Sequence, residues 1–282
     1  MTEPPRPSFA RRARRKVVRG AVALVVLYAM LVAAALFVEQ WLVYPGYAFG
    51  GPQRPPPDPR IQELTLTAAD GTALHAWWLP PADAAAGAFL ECHGNGGSVA
   101  SRGRAALDLG KTTGAGVLLF DYPGFGKSTG KPTEAGCYAA ADAAYAWLTG
   151  EGKVPAAKVV LLGESLGSGV AVEMATRHDH RALVLMCPFT SLPAAAKNRF
   201  PFLPTHTLMR NRFDSLSKIA RCPRPLFVAH GTADSTVPYR QGEVLFAAAN
   251  EPKEFLRLEG HKHNLCCDEF YAPLAAFLAR HP

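Results

Sequence analysis

From residue 87 onward the chain keeps returning to short apolar runs: GAFLECH (87–93), AGVLLFDY (115–122), AKVVLLG (157–163), ALVLMC (182–187), PLFVAHG (225–231) and KEFLRLE (253–259). Such runs suit parallel strands covered on both faces. Between them lie Ala-rich stretches such as TEAGCYAAADAAYAWLT (133–149), where Tyr138, Ala141, Tyr145 and Leu148 recur at helical spacing and Thr133 is placed to cap the start. Strand alternating with helix implies right-handed βαβ units. Two earlier runs, IQELTLT (61–67) and TALHAWWL (72–79), alternate in period two around AADG and read as an antiparallel hairpin. The expected fold is α/β: a mostly parallel eight-stranded sheet with helices on both faces. In such sheets, sites form beyond the carboxyl ends of the strands.

The 282 residues carry a formal charge of +7, which would suggest nucleic acid were it spread over the domain. It is not. Arg6, Arg11, Arg12, Arg14, Arg15, Lys16 and Arg19 face only Glu3 within residues 1–20, and the remainder is close to neutral. A basic groove for nucleic acid has little support. The cluster is followed by AVALVVLYAMLVAAALFV (21–38), just long enough to cross a hydrocarbon core as a helix. Basic residues before it and Glu39 and Gln40 after it orient the N-terminus to the cytoplasm and export the rest, by the positive-inside rule. Two rivals are a secretory signal cleaved near the small residues 33–35, and a core helix, which leaves the charge asymmetry unexplained. The run exceeds the usual signal core and continues into LFVEQWLVYP, favouring an uncleaved signal anchor with Trp41 and Tyr44 at the membrane surface. Residues 39–60, ending in GGPQRPPPDPR (50–60), read as a Pro-rich spacer, and 61–282 as one catalytic-size domain.

Three strand ends carry complementary polar chemistry. Ser165 follows AKVVLLG in GESLG, Asp234 follows PLFVAHG in GTADSTVP, and His261 and His263 follow KEFLRLE in EGHKHNL. A serine hydroxyl is a weak nucleophile until a base takes its proton, and an imidazole needs a carboxylate to fix its tautomer. The order Ser, Asp, His is the one expected on this kind of sheet. Asp214 and Asp268 are spare carboxylates at less suitable places, one within a connection and one after the histidines. Asp234 as a simple helix cap is the bland alternative.

With HGNGG (93–97), FDYPGFGKSTG (120–130), GESLGSG (163–169), HGTADSTVP (230–238) and GHKHN (260–264) in this order, the chain resembles the α/β-hydrolase superfamily over residues 40–280. The resemblance is strongest to the Bem46-like, membrane-anchored serine hydrolases, which are similar to mammalian α/β-hydrolase-domain proteins 13 and 17. It implies a serine hydrolase acting on an ester-like acyl substrate (carboxylester, thioester or amide, peptidase activity included), with Ser165 as nucleophile and Asp234 as the triad acid. Backbone N–H groups of Asn95 and Leu166 would form the oxyanion hole. Relatives read Gly-x-Gly-His-Asn where this chain has Gly260, His261, Lys262, His263 and Asn264. Counting from the Asn puts the base at His263, with His261 as the fallback. His93 is expected to be structural. The implied partners are a small acyl substrate, lipid-like ones included, and the membrane through the N-terminal helix; no metal or organic cofactor is called for. The alternative from another class is a noncatalytic, membrane-tethered binding or scaffold module.

Several other patterns carry less. GFGKST (124–129) would need Gly at 121 to be a phosphate loop, and Asp121 stands there. Cys92 and Cys187 end apolar runs, where a free Cys behaves as a small hydrophobe. Adjacent Cys266 and Cys267 are poor disulfide partners, and no spacing suits structural zinc. The apolar stretch 191–216 sits where relatives insert a cap; a lid over an acyl pocket, core packing and membrane contact all remain open. Glu164, beside the serine, has two readings open, a side chain facing solvent or one that tunes the site.

Overall fold

The computed structural model describes residues 9–50, 54–265 and 267–282. Arg6 and Glu3 of the charge cluster, residues 51–53 of the Pro-rich segment and Cys266 lie outside the described residues. The chain divides into two units, Met1–Glu39 and Gln40–Pro282. In the first, helix α1 (Phe9–Val43) begins within the basic cluster, well before the apolar run. Its stretch Ala13–Val43 is long and apolar enough to cross a membrane and reaches a hydropathy of 2.8, which suggests a membrane anchor.

The second unit starts with the last residues of α1 and a short helix α2 (Pro45–Ala48). The sheet is built from β1 (Gln62–Thr67), β2 (Ala73–Leu79), β3 (Ala88–Cys92), β4 (Gly116–Phe120), β5 (Val159–Glu164), β6 (Ala182–Met186), β7 (Leu226–Gly231) and β8 (Lys253–Leu258). Its order is β1-β2-β4-β3-β5-β6-β7-β8. β2 pairs antiparallel with both β1 and β4, and all later pairings are parallel. Helices α3 (Val99–Thr113), α4 (Glu134–Thr149), α5 (Leu166–Arg177), α6 (Leu192–Arg199), α7 (Thr205–Leu208), α8 (Leu216–Ile219), α9 (Tyr239–Ala247) and α10 (Asp268–Arg280) complete the chain. One core lies on the sheet face covered by α4 and α5, the other under α3 and α10. β3 to β7 are buried along their whole length, which is why their sequences show no alternation. The Thr133 hydroxyl accepts the Gly136 N–H at 2.9 Å, capping α4. Such a cap contributes about 1 kcal/mol.

Tyr44 departs from its expected place at a membrane surface. It is wholly buried, stands edge-on to Phe125, and its hydroxyl donates to Asn211 Oδ1 at 2.7 Å. A phenol with a polar partner for its hydroxyl gains more from burial of its ring than from the interface. Trp41 remains half exposed. The 191–216 stretch divides. Phe213 is buried against Gly169 and Tyr138, with its N–H and that of Arg212 donating to the Glu134 carboxylate, whereas Phe202 is exposed.

Candidate active site

β5 ends at Glu164, and α5 begins at Leu166. The single residue between them, Ser165, takes φ 51° and ψ −116°, a conformation an L-residue adopts only under strain. The turn this tight needs glycines on both sides. A Cβ on Gly163 would meet the Gly167 carbonyl and lie 2.7 Å from Ser168 Cα, and one on Gly167 would overlap the Cys92 carbonyl. The strained turn lifts the Ser165 hydroxyl off the end of the sheet, and the Ser165 N–H is held by the Met186 carbonyl at 2.9 Å.

The other two strand ends converge on it. His263 Nε2 lies 2.9 Å from Ser165 Oγ, and His263 Nδ1 lies 2.7 Å from Asp234 Oδ2. The His263 loop is fixed from the ends of β6 and β7: Ala233 N–H donates to the His261 carbonyl, the Cys187 thiol donates to the His263 carbonyl, and a Cβ on Gly231 would run into the carbonyls of His261 and Lys262. His261 turns away, its Nδ1 within 3.2 Å of the Glu259 carbonyl. Thus the structure brings Ser165, Asp234 and His263 together and leaves His261 outside the array.

Asp234 Oδ1 accepts the N–H groups of Thr236 and Val237 at 2.8 and 2.9 Å. Its Oδ2 is shared by His263 and by His230, whose Nε2 lies 3.3 Å away and also 2.9 Å from the Val237 carbonyl. With two acceptors before it, His230 Nε2 carries the hydrogen. Burial alone would raise the Asp234 carboxyl, but the hydrogen bonds from His230, His263 and Val237 outweigh it and hold the group far below the usual carboxylate range. Asp234 therefore stays ionised. Its contribution to stability is present above the unfolded carboxyl value and is lost only in strong acid. Sequence reasoning missed His230, although its place four residues before Asp234 was visible.

Across from the histidine, loop 93–97 passes beside the serine, with a Cβ on Gly94 only 3.5 Å from that of Ser165. The His93 ring is fully buried and its Nδ1 donates to the Gly94 carbonyl at 2.6 Å. Because a trans peptide points its N–H opposite its carbonyl, this bond also aims the Asn95 N–H. Burial lowers the His93 pKa against the pull of Asp121, so the ring stays neutral, in keeping with a structural part. Asp121 in turn accepts the Val99 N–H and pairs with His75, which fixes the start of α3. Leu166 is the first residue of α5, where an N–H has no intrahelical acceptor. Asn95 thus follows the glycine that passes beside the serine, and Leu166 opens the helix directly after it.

Glu164 acquires a partner here. It is buried and forms an ion pair with Arg102 of α3 at 2.5 Å, on the sheet face that also buries Glu91. Burial raises the Glu91 carboxyl, Arg102 opposes and Glu164 reinforces the shift, to about 7. A raised carboxyl binds its proton more tightly folded than unfolded, so its stabilising effect is whole below the unfolded value and declines as pH climbs through about 7. Glu91→Gln is therefore expected to match the parent near pH 4.5 and to exceed it above pH 7, by on the order of 3 kcal/mol. Urea unfolding of the detergent-solubilised chain across that pH range tests this; equal midpoints at every pH would remove Glu91 as a titrating group.

Cys187, His230 and Asp234 lie close enough to share a metal ion, as do His261, Cys267 and Glu269. In the first group the His230 and Asp234 atoms are already hydrogen bonded and burial raises the Cys187 thiol, which opposes metal binding. The described cysteines, Cys92, Cys137, Cys187, Cys222 and Cys267, are free thiols.

A protein-family model described as the alpha/beta hydrolase fold matches residues 87–207. The chain is 39% identical over 207 residues to the uncharacterized protein Rv2307c of Mycobacterium tuberculosis, covering 73% of each. It is 31% identical over 176 residues to human alpha/beta hydrolase domain-containing protein 17B, covering 62% of this chain and 60% of that one. Among solved structures, the Pyrococcus furiosus esterase Pf2001 superposes with a TM-score of 0.65 at 20% identity, over 82% of this chain and 97% of the esterase. With the eight-stranded sheet and these sequence matches together, the chain belongs to the α/β-hydrolase family.

Proposed function

We propose that the protein is a serine hydrolase that cleaves an ester-like acyl substrate through an acyl-enzyme. The observation that carries this reading is the continuous hydrogen-bonded line from Ser165 Oγ through both nitrogens of His263 to Asp234. Ser165 Oγ attacks the substrate carbonyl carbon while its proton passes to His263 Nε2. Asp234, ionised throughout, holds Nδ1–H and stabilises the imidazolium. The tetrahedral oxyanion is met by the Asn95 and Leu166 N–H groups. Collapse breaks the bond to the leaving group, which takes the proton from His263. Water, deprotonated by the same imidazole, then releases the acyl group. The related solved structure named as an esterase supports the substrate class.

The apolar helix and its basic flank support a single-pass anchor with the N-terminus cytoplasmic and the catalytic domain on the exported side. The mass of the mature protein tests anchor against cleaved signal. Catalysis is tested with a fluorophosphonate probe and with p-nitrophenyl esters graded from acetate to palmitate, a thioester and an amide analogue alongside. Labelling and turnover are expected; a folded chain that neither labels nor turns over any of them would favour the scaffold reading.

A further inference from the structure

The last residue of the apolar helix and the segment that follows it are bolted to the residue proposed as an oxyanion donor. Asn95 Nδ2 donates to the Val43 carbonyl at 2.9 Å, and Gly46 N–H donates to the Asn95 carbonyl at 2.9 Å. The contact is close: a Cβ on Gly46 would overlap the Phe125 ring edge and lie 2.7 Å from the Gly97 carbonyl. Gly46 is buried, as are Val43 and Tyr44 on either side of the junction. Tyr44 adds a second latch through its hydroxyl to Asn211, whose Oδ1 also accepts the Glu134 N–H at the start of α4. Gln40 Nε2 reaches the Pro132 carbonyl at 3.3 Å.

These bonds fix Asn95 from the side that His93 leaves open. The His93 bond to the Gly94 carbonyl sets the peptide plane before Asn95; Gly46 sets the plane after it, and Val43 holds its side chain. Two peptide planes and one side chain leave the Asn95 Cα no rotation by which its N–H can swing away from the serine. A donor of this kind works only if aimed at where the oxyanion forms, and an error of about 1 Å can cost 10²-fold in rate.

Resting on the serine-hydrolase reading above, we infer that residues 43–46 are a positioning element of the oxyanion hole, so that the entry of the anchor helix into the catalytic domain sets the aim of the Asn95 N–H. The segment touches no substrate; it acts through Asn95. The anchor's end is then part of the catalytic apparatus and not only a tether.

The test uses the full chain in detergent micelles with a short p-nitrophenyl ester and a trifluoromethyl ketone as transition-state analogue. Gly46→Ala inserts the colliding Cβ, and Asn95→Ala removes the Val43 latch while keeping the backbone donor. Both are expected to lower kcat about 10- to 10²-fold with KM changed less than about twofold, and to weaken the ketone by the same factor as kcat/KM. Leu42→Ala, on an exposed neighbour, is expected to hydrolyse like the parent. If Gly46→Ala does not fold, Tyr44→Phe, which preserves the buried ring, and Asn95→Ala carry the test. Parental kcat and ketone affinity in folded Gly46→Ala or Asn95→Ala, with Ser165→Ala inactive, would overturn the positioning role and leave the serine reading standing. Full turnover by Ser165→Ala would instead overturn the reading on which it rests.

Discussion

Ser165→Ala is expected to abolish fluorophosphonate labelling and to lower kcat for a short ester by at least ~10⁴-fold while leaving the fold intact. The substitution removes one oxygen, and with it the attacking atom and the 2.9 Å bond to His263 Nε2. It keeps the Cβ, so the strain at φ 51° is unchanged. Any remaining hydrolysis comes from substrate binding and the oxyanion donors alone, which is why a residue of activity above background is compatible with the mechanism. Ser165→Gly supplies an internal check. Glycine adopts this region without penalty, so the variant is expected to be equally inactive yet to melt above Ser165→Ala, by the order of 1 kcal/mol that a strained non-Gly residue stores. Undiminished turnover by either variant would dismiss Ser165 as nucleophile; equal melting would dismiss the strain.

What the sequence makes legible is whatever depends on neighbours along the chain. Strands β3 to β7 are buried on both faces, so each is a continuous apolar run that can be recognised in isolation, and Thr133 caps α4 within one turn of itself. Ser165 directly follows buried β5, while Asp234 and His263 lie three and five residues beyond β7 and the only partly buried β8, so each could be read from the strand end before it. The rest depends on contacts between distant segments. Nothing near Glu164 in sequence announces Arg102, which reaches it only because α3 lies over the same sheet face. Nothing near Asn95 announces Val43 and Gly46. Tyr44 reads as an interfacial aromatic because its flanking residues are apolar, while its burial is decided by Phe125 and Asn211. The sheet order, with β4 outside β3, places β2 beside β4, an antiparallel neighbour that no local pattern specifies.

The two histidines of GHKHN separate most sharply by mutation. His263→Ala is expected to reduce kcat by ~10⁴-fold or more, since it takes away the base for Ser165 and the acid for the leaving group at once. His261→Ala is expected to cost less than about tenfold, because its ring faces the Glu259 carbonyl and lies outside the line from Ser165 to Asp234. What anchors the His261 position in the fold is its backbone: the carbonyl accepts Ala233 N–H and lies against Gly231, contacts that alanine retains. The His263 loop should therefore stay in place when the His261 side chain is cut back. The reverse ranking, with His261→Ala the crippled enzyme, would move the base to His261 and require the 260–264 loop to turn over before catalysis.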